Sequence, residues 1–192
     1  DICFPGEVFS GYYGEIGSRE AKEREAPETG WPTSVHFPYS PKEYIKRTMI
    51  NAGLKQKYGV EVKFFHIKLS GFTIKQFVSI LIELGFEKFI ILERKNYLRK
   101  IVSSLVGKET KKMHIKADEK APITQIYLNP DRVETDSQSK PLLDYLSEYK
   151  NNFSEIRTLL EENNTLSISY EDDILNNPEE AYWKVCQFLS IK

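Results

Sequence analysis

The sequence has few cysteines and no long apolar segment. Cys3 and Cys186 lie at opposite ends of the 192 residues, which excludes a disulfide framework and a cysteine-rich zinc cluster. The sequence does not exclude a single disulfide bond between these two cysteines. The longest apolar stretches, such as residues 77–86, carry polar Ser79 and Glu83 and are shorter than the ~20 residues that a membrane-spanning helix needs. We therefore expect no transmembrane segment.

The chain also lacks an excess of charge of either sign. Lys and Arg number 27 against 28 Asp and Glu, so the formal net charge is -1 and no global basic field attracts nucleic acid or anionic lipid. We expect no nucleic-acid partner, and any anion site must be local. Because 40% of the residues are hydrophobic and 12% are aromatic, the composition is that of a globular protein. The length corresponds to one domain.

Several classes of motif are absent. The sequence contains no GxxxxGK(S/T) loop, GxGxxG, HExxH, CxxC or GxSxG, so it shows no apparatus for triphosphate hydrolysis, dinucleotide redox chemistry or zinc hydrolysis. The three histidines are scattered, and we expect no metal site. A kinase would need a Gly-rich phosphate loop and a Mg²⁺-binding acid, and neither is visible. No secretory signal pattern opens the sequence, and we expect a cytoplasmic protein.

The first half of the chain begins with loops. Residues 1–40 contain five of the ten Gly and four of the nine Pro, a composition typical of turns. Apolar residues at helical spacing then predict a helix from 41 to about 58. Residues 60–69 alternate and are rich in β-branched and aromatic types, which predicts a strand. A second helix is predicted from the capping residue Thr73 to Gly85.

The second half alternates strands and helices. A continuous apolar run at 89–92 indicates a central strand of a parallel sheet, buried on both faces. Residues 108–139 are polar and irregular, except that 123–128 fits a short strand or an extended lead-in. The remaining predictions are a helix over 96–106 that stops before Gly107, a helix over 141–163, a strand over 165–170 and a helix over 178–189. This order predicts an α/β fold with a largely parallel sheet.

Cations are concentrated where the strand at 89–92 ends. They are Arg94, Lys95, Arg99 and Lys100. In open α/β sheets ligands bind beyond the carboxyl ends of the strands, and a helix N-terminus there favours an anion. With the hydroxyls of Ser103 and Ser104, the segment outlines a phosphate or sulfate site. The alternative is a set of solvated helix charges, which explains Arg94 least well because a buried strand ends there.

Two other strand ends carry polar residues. By alternation, His66 and Lys68 share a face near the end of the strand at 60–69 and would project into the same cleft. The alternative is a hydrogen-bonded core histidine and a surface lysine. After the strand at 165–170, we expect Asp172 or Asp173 to cap or approach the last helix rather than to act in catalysis.

Residues 91–103 resemble the 3′-phosphate-binding motif of the sulfotransferases that use 3′-phosphoadenosine-5′-phosphosulfate (PAPS). In that family a strand ends in an Arg and a Ser follows nine positions later. Arg94 and Ser103 match that spacing. Each holds the 3′-phosphate in the family, so the resemblance implies the same roles here.

A second match lies near the C-terminus. Residues 166–173, followed by Pro178 and by residues 188–191, resemble the family's strand, Tyr-Glu-Asp turn, Pro-started helix and Phe-Leu-Gly ending. Ser190 stands where the family usually has Gly. The two matches together are more specific than either is alone.

The opening residues 5–9 resemble a Gly-x-Glu-x-Phe-like segment of the bacterial sulfolipid and nodulation-type branch, where it supplies a carboxylate base, and residues 62–69 resemble that branch's second strand. The resemblance implies a P-loop-NTPase-like three-layer sandwich with a mostly parallel sheet, formed by residues 1–192 as a single sulfotransferase-like domain. The family's 5′-phosphosulfate loop would precede Glu7 and its closing loop would follow Lys192. We therefore expect the domain to be incomplete at both ends.

The implied reaction moves a sulfuryl group from PAPS to a hydroxyl of a carbohydrate, lipid or other small acceptor, and it releases adenosine-3′,5′-bisphosphate (PAP). Glu7 is the candidate base and His66 is the second candidate. Lys68 would stabilise the transferring sulfuryl group or orient the acceptor. Arg94 and Ser103 would bind the 3′-phosphate. The alternative is a non-catalytic sulfotransferase-like binding module that has lost the donor loop.

Overall fold

The structure is a computed structural model that describes residues 2–3, 41–51, 57–110, 125–136 and 138–191. The chain divides into two compact units, Asp1–Phe86 and Glu87–Lys192. The architecture is mixed helix and strand with small parallel sheets, as an α/β fold requires. The assignment of residues 1–192 to a single sulfotransferase-like domain stays a prediction.

The first unit combines short helices with one pair of parallel strands. Strand β1 (Ile2–Cys3) pairs with β2 (Lys57–Tyr58), and the helices are α1 (Pro41–Asn51), α2 (Phe64–Leu69) and α3 (Ile74–Glu83). The buried apolar side chains are Ile45, Ile67, Ile74, Phe77, Val78 and Leu81. They come from all three helices, so the helices share the burial of apolar surface in this unit.

The helix predicted from 41 to about 58 is shorter in the structure. α1 ends at Asn51, and Tyr58 lies in β2, where its backbone is paired with Cys3. The prediction is therefore wrong at its C-terminal end, where Tyr58 lies in a strand although the apolar spacing continues to this residue.

The strand predicted over 60–69 is wrong, because residues 64–69 form helix α2. The helix is closed locally: the backbone N–H of Ser70 donates to the carbonyl of His66 at 3.1 Å, and the N–H of Phe72 donates to the carbonyl of Ile67 at 3.3 Å. Gly71, with φ +74°, supplies the left-handed conformation that ends the helix. Apolar alternation in a short segment cannot exclude one helical turn and a half.

This correction changes the relation between His66 and Lys68. Residues two apart on an α-helix lie about 200° apart around its axis, so the two side chains do not share a face. His66 is only 2% exposed, whereas Lys68 is exposed. The predicted pair at a strand end is therefore not present.

Helix α3 confirms its prediction at both ends. The Thr73 hydroxyl accepts a hydrogen bond from the backbone N–H of Gln76 at 3.2 Å, and the Gln76 side-chain oxygen accepts one from the N–H of Thr73 at 2.9 Å. This reciprocal arrangement is a capping box. Gly85 follows the helix with φ +88°, which a residue with a Cβ rarely adopts.

The second unit holds the longer parallel strands. Its elements are β3 (Lys88–Glu93), α4 (Tyr97–Thr110), β4 (Val133–Thr135), β5 (Gln138–Lys140), α5 (Leu142–Leu159), β6 (Asn164–Ser169), a π-helical turn (Tyr170–Ile174) and α6 (Pro178–Leu189). β3 and β6 pair in parallel from Lys88 with Asn164 to Glu93 with Ser169. The predictions of strands at 89–92 and 165–170, and of parallel pairing, are confirmed.

Strand β3 is not buried on both faces as predicted. Ile91 and Glu93 are buried, but Ile90 is 40% exposed and Leu92 is 57% exposed. The burial therefore alternates along the strand. A run of four apolar residues cannot by itself distinguish one buried face from two.

Two local predictions between β3 and α5 are wrong. Helix α4 continues through Gly107 to Thr110, although Gly costs about 1 kcal/mol relative to Ala inside a helix. The prediction that 108–139 is irregular apart from 123–128 is wrong, because β4 and β5 pair as an antiparallel hairpin. Residues 125–128 form no strand, so of the two alternatives for 123–128 the extended lead-in is left. Both strands have only three residues, and a length this small gives no clear periodicity.

A compact apolar cluster joins the hairpin to the helices that flank it. Ile101 of α4, Val133 of β4, and Tyr145 and Tyr149 of α5 are all buried in it. The Tyr145 hydroxyl lies 2.8 Å from the carbonyl oxygen of Thr135 and 2.7 Å from that of Gln138. The hairpin is therefore fixed to α5 by polar as well as apolar contacts.

The C-terminal predictions are confirmed. α6 begins at Pro178 and ends at Leu189, as predicted, and α5 occupies most of the predicted 141–163. Ser190, which replaces a Gly of the resembled motif, takes the left-handed conformation with φ +54°. Lys88 donates to the Phe188 carbonyl at 2.5 Å, which ties the end of α6 to the start of β3.

Candidate functional site

The carboxyl ends of β3 and β6 form one edge of the parallel sheet in the second unit. β3 leads into Arg94 and the start of α4, while β6 leads into the π-helical turn at Tyr170. Because the strands are parallel, the two connections leave the sheet side by side. The structure thus brings together the two segments that carry the sequence resemblance.

The N-terminus of α4 already holds an anion that belongs to the chain. The carboxylate of Glu171 accepts hydrogen bonds from the backbone N–H of Lys95 at 2.8 Å and of Asn96 at 3.2 Å. The Asn96 side-chain oxygen accepts a third, from the N–H of Arg99, at 2.9 Å. Backbone amides at a helix start favour negative charge, and here Glu171 supplies it.

Two opposing influences act on the Glu171 carboxyl. Partial burial raises its pKa, but the two backbone hydrogen bonds and the charge of Arg94 outweigh this and lower the pKa below the usual value. Glu171 is therefore ionised near neutral pH. Sequence reasoning placed a phosphate or sulfate at these amides, and the structure places a carboxylate there instead.

Arg94 lies at the sheet edge, as expected, between two residues of the π-helical turn. Its guanidinium carbon is 4.5 Å from the centre of the Tyr170 ring, and its Nε is 4.0 Å from a Glu171 oxygen. The side chain is 26% exposed. Its Nε atom is buried and has no hydrogen-bond partner among the described residues. Arg94 is thus held by the Tyr170 ring and by the charge of Glu171, and its Nε makes a hydrogen bond to neither.

Two of the other three cations have acidic partners. Lys95 forms an ion pair with Asp172, and this hydrogen bond raises the pKa of Lys95. Lys100 donates to Asp136 at 2.7 Å and also to Tyr149. The interpretation of the four cations as one anion site is therefore corrected: Lys95 forms a surface ion pair with Asp172, and Lys100 forms a partly buried one with Asp136.

The remaining cation and the predicted serine are exposed on α4. Arg99 and Ser103 lie four residues apart, so they occupy neighbouring positions on one side of the helix. Ser104 is instead turned towards the hairpin, and its hydroxyl oxygen lies 2.9 Å from that of Thr135. The two adjacent serines therefore have different environments.

The acidic turn after β6 is held by its neighbours. Asp173 accepts a hydrogen bond from the Ser169 N–H at 2.8 Å and one from Lys184 of α6 at 3.0 Å. The prediction that one of the two aspartates approaches the last helix is confirmed for Asp173. The helix is capped by Asn177, whose side-chain oxygen accepts from the N–H of Glu180 at 3.2 Å.

A buried carboxylate also lies at this edge, and sequence reasoning did not identify it. Glu93, 7% exposed, accepts hydrogen bonds from the Tyr97 hydroxyl and from Arg157 of α5. The strand-end acid was visible in the sequence, but its partner Arg157 lies 64 residues away. The ion pair joins the end of β3 to α5.

An open depression of about 680 Å³ lies beside the start of α4. Asn96 and Tyr97 of α4, Leu146 and Lys150 of α5, and Glu171 are among its lining residues. Lys150 is exposed. The depression is wide and faces solvent, so a ligand bound there would stay largely hydrated.

The other predicted site residues belong to the first unit. His66 is buried, and its Nδ1 accepts a hydrogen bond from the backbone N–H of Lys63 at 3.3 Å. The centre of its ring lies 4.2 Å from the centre of the Phe65 ring, and the two ring planes are inclined at 63°. Lys68 is exposed on α2. Glu7 lies outside the described residues.

In the part of the chain that the structure describes, no group of three His, Cys, Asp or Glu side chains could hold a metal ion. No helix in the same ranges has the length and apolar character to cross a membrane. Comparison of the chain with family models, curated proteins and solved structures found no match.

Proposed function

We propose that the protein is a PAPS-dependent sulfotransferase that transfers a sulfuryl group to a hydroxyl of a carbohydrate, lipid or other small acceptor. The observation that carries the proposal is the setting of Arg94. It directly follows a strand of a parallel sheet, its guanidinium lies over the Tyr170 ring, and its side chain is 26% exposed. The terminal nitrogens of a partly exposed guanidinium can bind a phosphate in a bidentate manner.

The finer fold is part of the proposal. A three-layer, P-loop-NTPase-like sandwich requires parallel strands whose carboxyl ends meet the ligand, with a helix following each strand. The pairing of β3 with β6, with α4 after β3 and the π-helical turn and α6 after β6, is compatible with that arrangement. The support for the proposed fold therefore comes from one parallel strand pair, β3 with β6.

The proposed roles follow the resemblance where the geometry allows them. Arg94 and Ser103 bind the 3′-phosphate of the donor, and Glu7 removes the proton from the acceptor hydroxyl. His66 is a weaker candidate for the base, because it is buried and its Nδ1 already accepts a backbone hydrogen bond. A joint role for His66 and Lys68 is withdrawn because they lie on different faces of α2. Lys68 alone stays a candidate for contacting the sulfuryl group.

The alternative is a sulfotransferase-like module that binds a nucleotide without catalysis. Two observations favour it: Glu171 fills the amide site of α4, and Lys95 and Lys100 form ion pairs with Asp172 and Asp136. The local positive charge available to a ligand is therefore smaller than the sequence suggested. The release of PAP from PAPS in the presence of an acceptor distinguishes the enzyme from the non-catalytic module.

The test uses the full-length protein and calorimetry with PAP. Arg94→Gln should weaken PAP binding by about 1.5–3 kcal/mol, which is roughly ten- to a hundredfold in Kd. Arg132→Gln is the matched control, since that side chain is 70% exposed and lies at the hairpin. It should leave PAP binding unchanged.

Three outcomes have different meanings. Absence of PAP binding to the wild-type protein would exclude both functions. Binding that is unaffected by Arg94→Gln would remove Arg94 from the site. Binding through Arg94, with no PAP released from PAPS in the presence of carbohydrate and lipid hydroxyl acceptors, would establish the non-catalytic module.

A further inference from the structure

We infer that Glu171, together with Tyr170, is a positioning residue that holds the Arg94 guanidinium ready for a 3′-phosphate. The inference rests on the proposed function and deepens it. It assigns the nucleotide's 3′-phosphate selectivity to a turn that itself makes no contact with the phosphate. Three features of the sheet edge lead to it.

The first feature is the fixation of the backbone after Arg94. Both Glu171 carboxylate oxygens are used, one by the N–H of Lys95 at 2.8 Å and the other by the N–H of Asn96 at 3.2 Å. These are the two peptide groups that directly follow Arg94. Charge-assisted hydrogen bonds of this kind are stronger than neutral ones. The direction in which the Arg94 side chain leaves the backbone is therefore set by Glu171.

The second feature is the position of the side chain itself. The Tyr170 ring lies on one side of the guanidinium, with 4.5 Å between the guanidinium carbon and the ring centre. Glu171 lies 4.0 Å from Nε, which is beyond hydrogen-bond distance. The carboxylate attracts the guanidinium but does not occupy a donor. The Arg94 side chain is thus oriented without a hydrogen bond from its Nε to the carboxylate.

The third feature is the distribution of charge. A carboxylate beside an arginine normally competes with an anionic ligand. Here the amides at the start of α4 take up the Glu171 oxygens, and the dipole of the helix offsets part of the negative charge. The Arg94 side chain is 26% exposed. A phosphate that approaches from solvent can therefore still reach it.

The experiment compares two nucleotides that differ only in the 3′-phosphate, PAP and adenosine-5′-monophosphate, by calorimetry on the full-length protein. The wild-type protein should bind PAP at least tenfold more tightly, the effect of one charge-assisted hydrogen bond. Glu171→Ala should lower this ratio towards one by weakening PAP alone. A purely structural role would weaken both nucleotides or neither.

Further variants separate positioning from folding. Glu171→Gln keeps one side-chain oxygen for a backbone N–H, so its ratio should lie between those of wild type and Glu171→Ala. Tyr170→Phe keeps the ring and should keep the ratio, whereas Tyr170→Leu should lower it. Asp172→Asn is the control within the same turn and should not change the ratio. If Glu171→Ala does not fold, Glu171→Gln and Tyr170→Leu decide the question.

Two failures can be told apart. A wild-type protein that binds both nucleotides equally, or binds neither, would overturn the proposed function and this inference with it. A wild-type preference for PAP that persists in Glu171→Ala and Tyr170→Leu would overturn the positioning role and leave the proposed function intact. If Asp172→Asn lost the preference for PAP as fully as Glu171→Ala, the positioning role of Glu171 would also be overturned. The preference would then depend on the whole turn and not on Glu171.

Discussion

The hydroxyl oxygens of Ser104 and Thr135 lie 2.9 Å apart, which joins helix α4 to the β4–β5 hairpin. Thr135 is only 7% exposed, so its hydroxyl depends on this partner. The preceding residue, Ser103, is exposed on the same helix. Adjacent serines therefore serve as each other's control.

We expect Ser103→Ala to weaken PAP binding about tenfold and to leave the free energy of unfolding unchanged, since it removes a hydrogen bond to a charged phosphate. Ser104→Ala should leave PAP binding unchanged and lower the free energy of unfolding. It should cost roughly 1–3 kcal/mol of stability, because the Thr135 hydroxyl is left without its side-chain partner. Calorimetry and urea unfolding measure the two effects. Equal losses of PAP affinity in both variants would contradict the assignment.

The proposed base gives a second prediction. Glu7→Gln should reduce kcat by roughly 10²–10⁴-fold, the range of general base catalysis, with PAP affinity unchanged. His66→Gln should mainly lower stability, because His66 is buried and accepts a backbone hydrogen bond at 3.3 Å. Steady-state kinetics on the full-length protein check both. Retention of more than about a tenth of kcat in Glu7→Gln would transfer the role to His66.

A third prediction concerns the turn between β4 and β5. Asp136 has φ +51° and accepts hydrogen bonds from Lys100 and Tyr149. Asp136→Ala loses these bonds and keeps a side chain in the left-handed conformation, which costs an L-residue about 1–2 kcal/mol. Asp136→Gly loses the same bonds without that strain, so it should be the more stable of the two by about 1 kcal/mol in urea unfolding. Equal stabilities would show that the backbone at 136 is not constrained as described.

The aspartates and glutamate of the π-helical turn give a fourth prediction, on pH. The pKa of Asp173 is lowered by hydrogen bonds from the Ser169 N–H and from Lys184, and the pKa of Asp172 is lowered by a hydrogen bond from Lys95. Burial raises the pKa of Glu171, but the hydrogen bonds from the N–H groups of Lys95 and Asn96 outweigh this and lower it. A lowered folded-state pKa gives stability that is complete above about pH 4, the unfolded value, and is lost as the pH falls through the folded-state value.

The measurement is the urea midpoint between pH 7 and pH 2.5. Stability should fall below about pH 4, and the double variant Glu171→Gln with Asp173→Asn should show a smaller fall. Glu162→Gln is the control, since Glu162 is an exposed glutamate of the same unit. An acid-induced loss that is as large in the double variant as in the wild type would contradict the prediction.

The fold was predictable where local signals agree with tertiary structure. Helix α6 carries Pro178 at its start, and α3 carries the Thr73 capping box, so their bounds follow from the sequence. Residues 60–69 carried a strand-like alternation, but the bonds around Ser70 and Gly71 close a helix there. The hairpin of β4 and β5 was missed because its stability comes from Tyr145, which lies outside the hairpin.

The site was predictable in part. The position of Arg94 at a strand end follows from one buried apolar run and the rule for ligand edges. Its partners do not, because Tyr170 and Glu171 approach it only when β6 pairs with β3. The acids that neutralise Lys95 and Lys100 are likewise distant in sequence, so four neighbouring cations suggested more free charge than the fold leaves.

Lys95 and Glu171 are 76 residues apart in the chain. At about 5–20 residues per second, synthesis separates them by roughly 4–15 seconds. During that interval the nascent chain carries the cations around Arg94 without the acidic turn, and strand β3 without β6. Closing such a long loop is also entropically slow. The proposed nucleotide-binding edge is therefore among the last parts of the protein to form. A chain that ended before Glu171 would expose the basic segment around Arg94 next to the incompletely formed sheet.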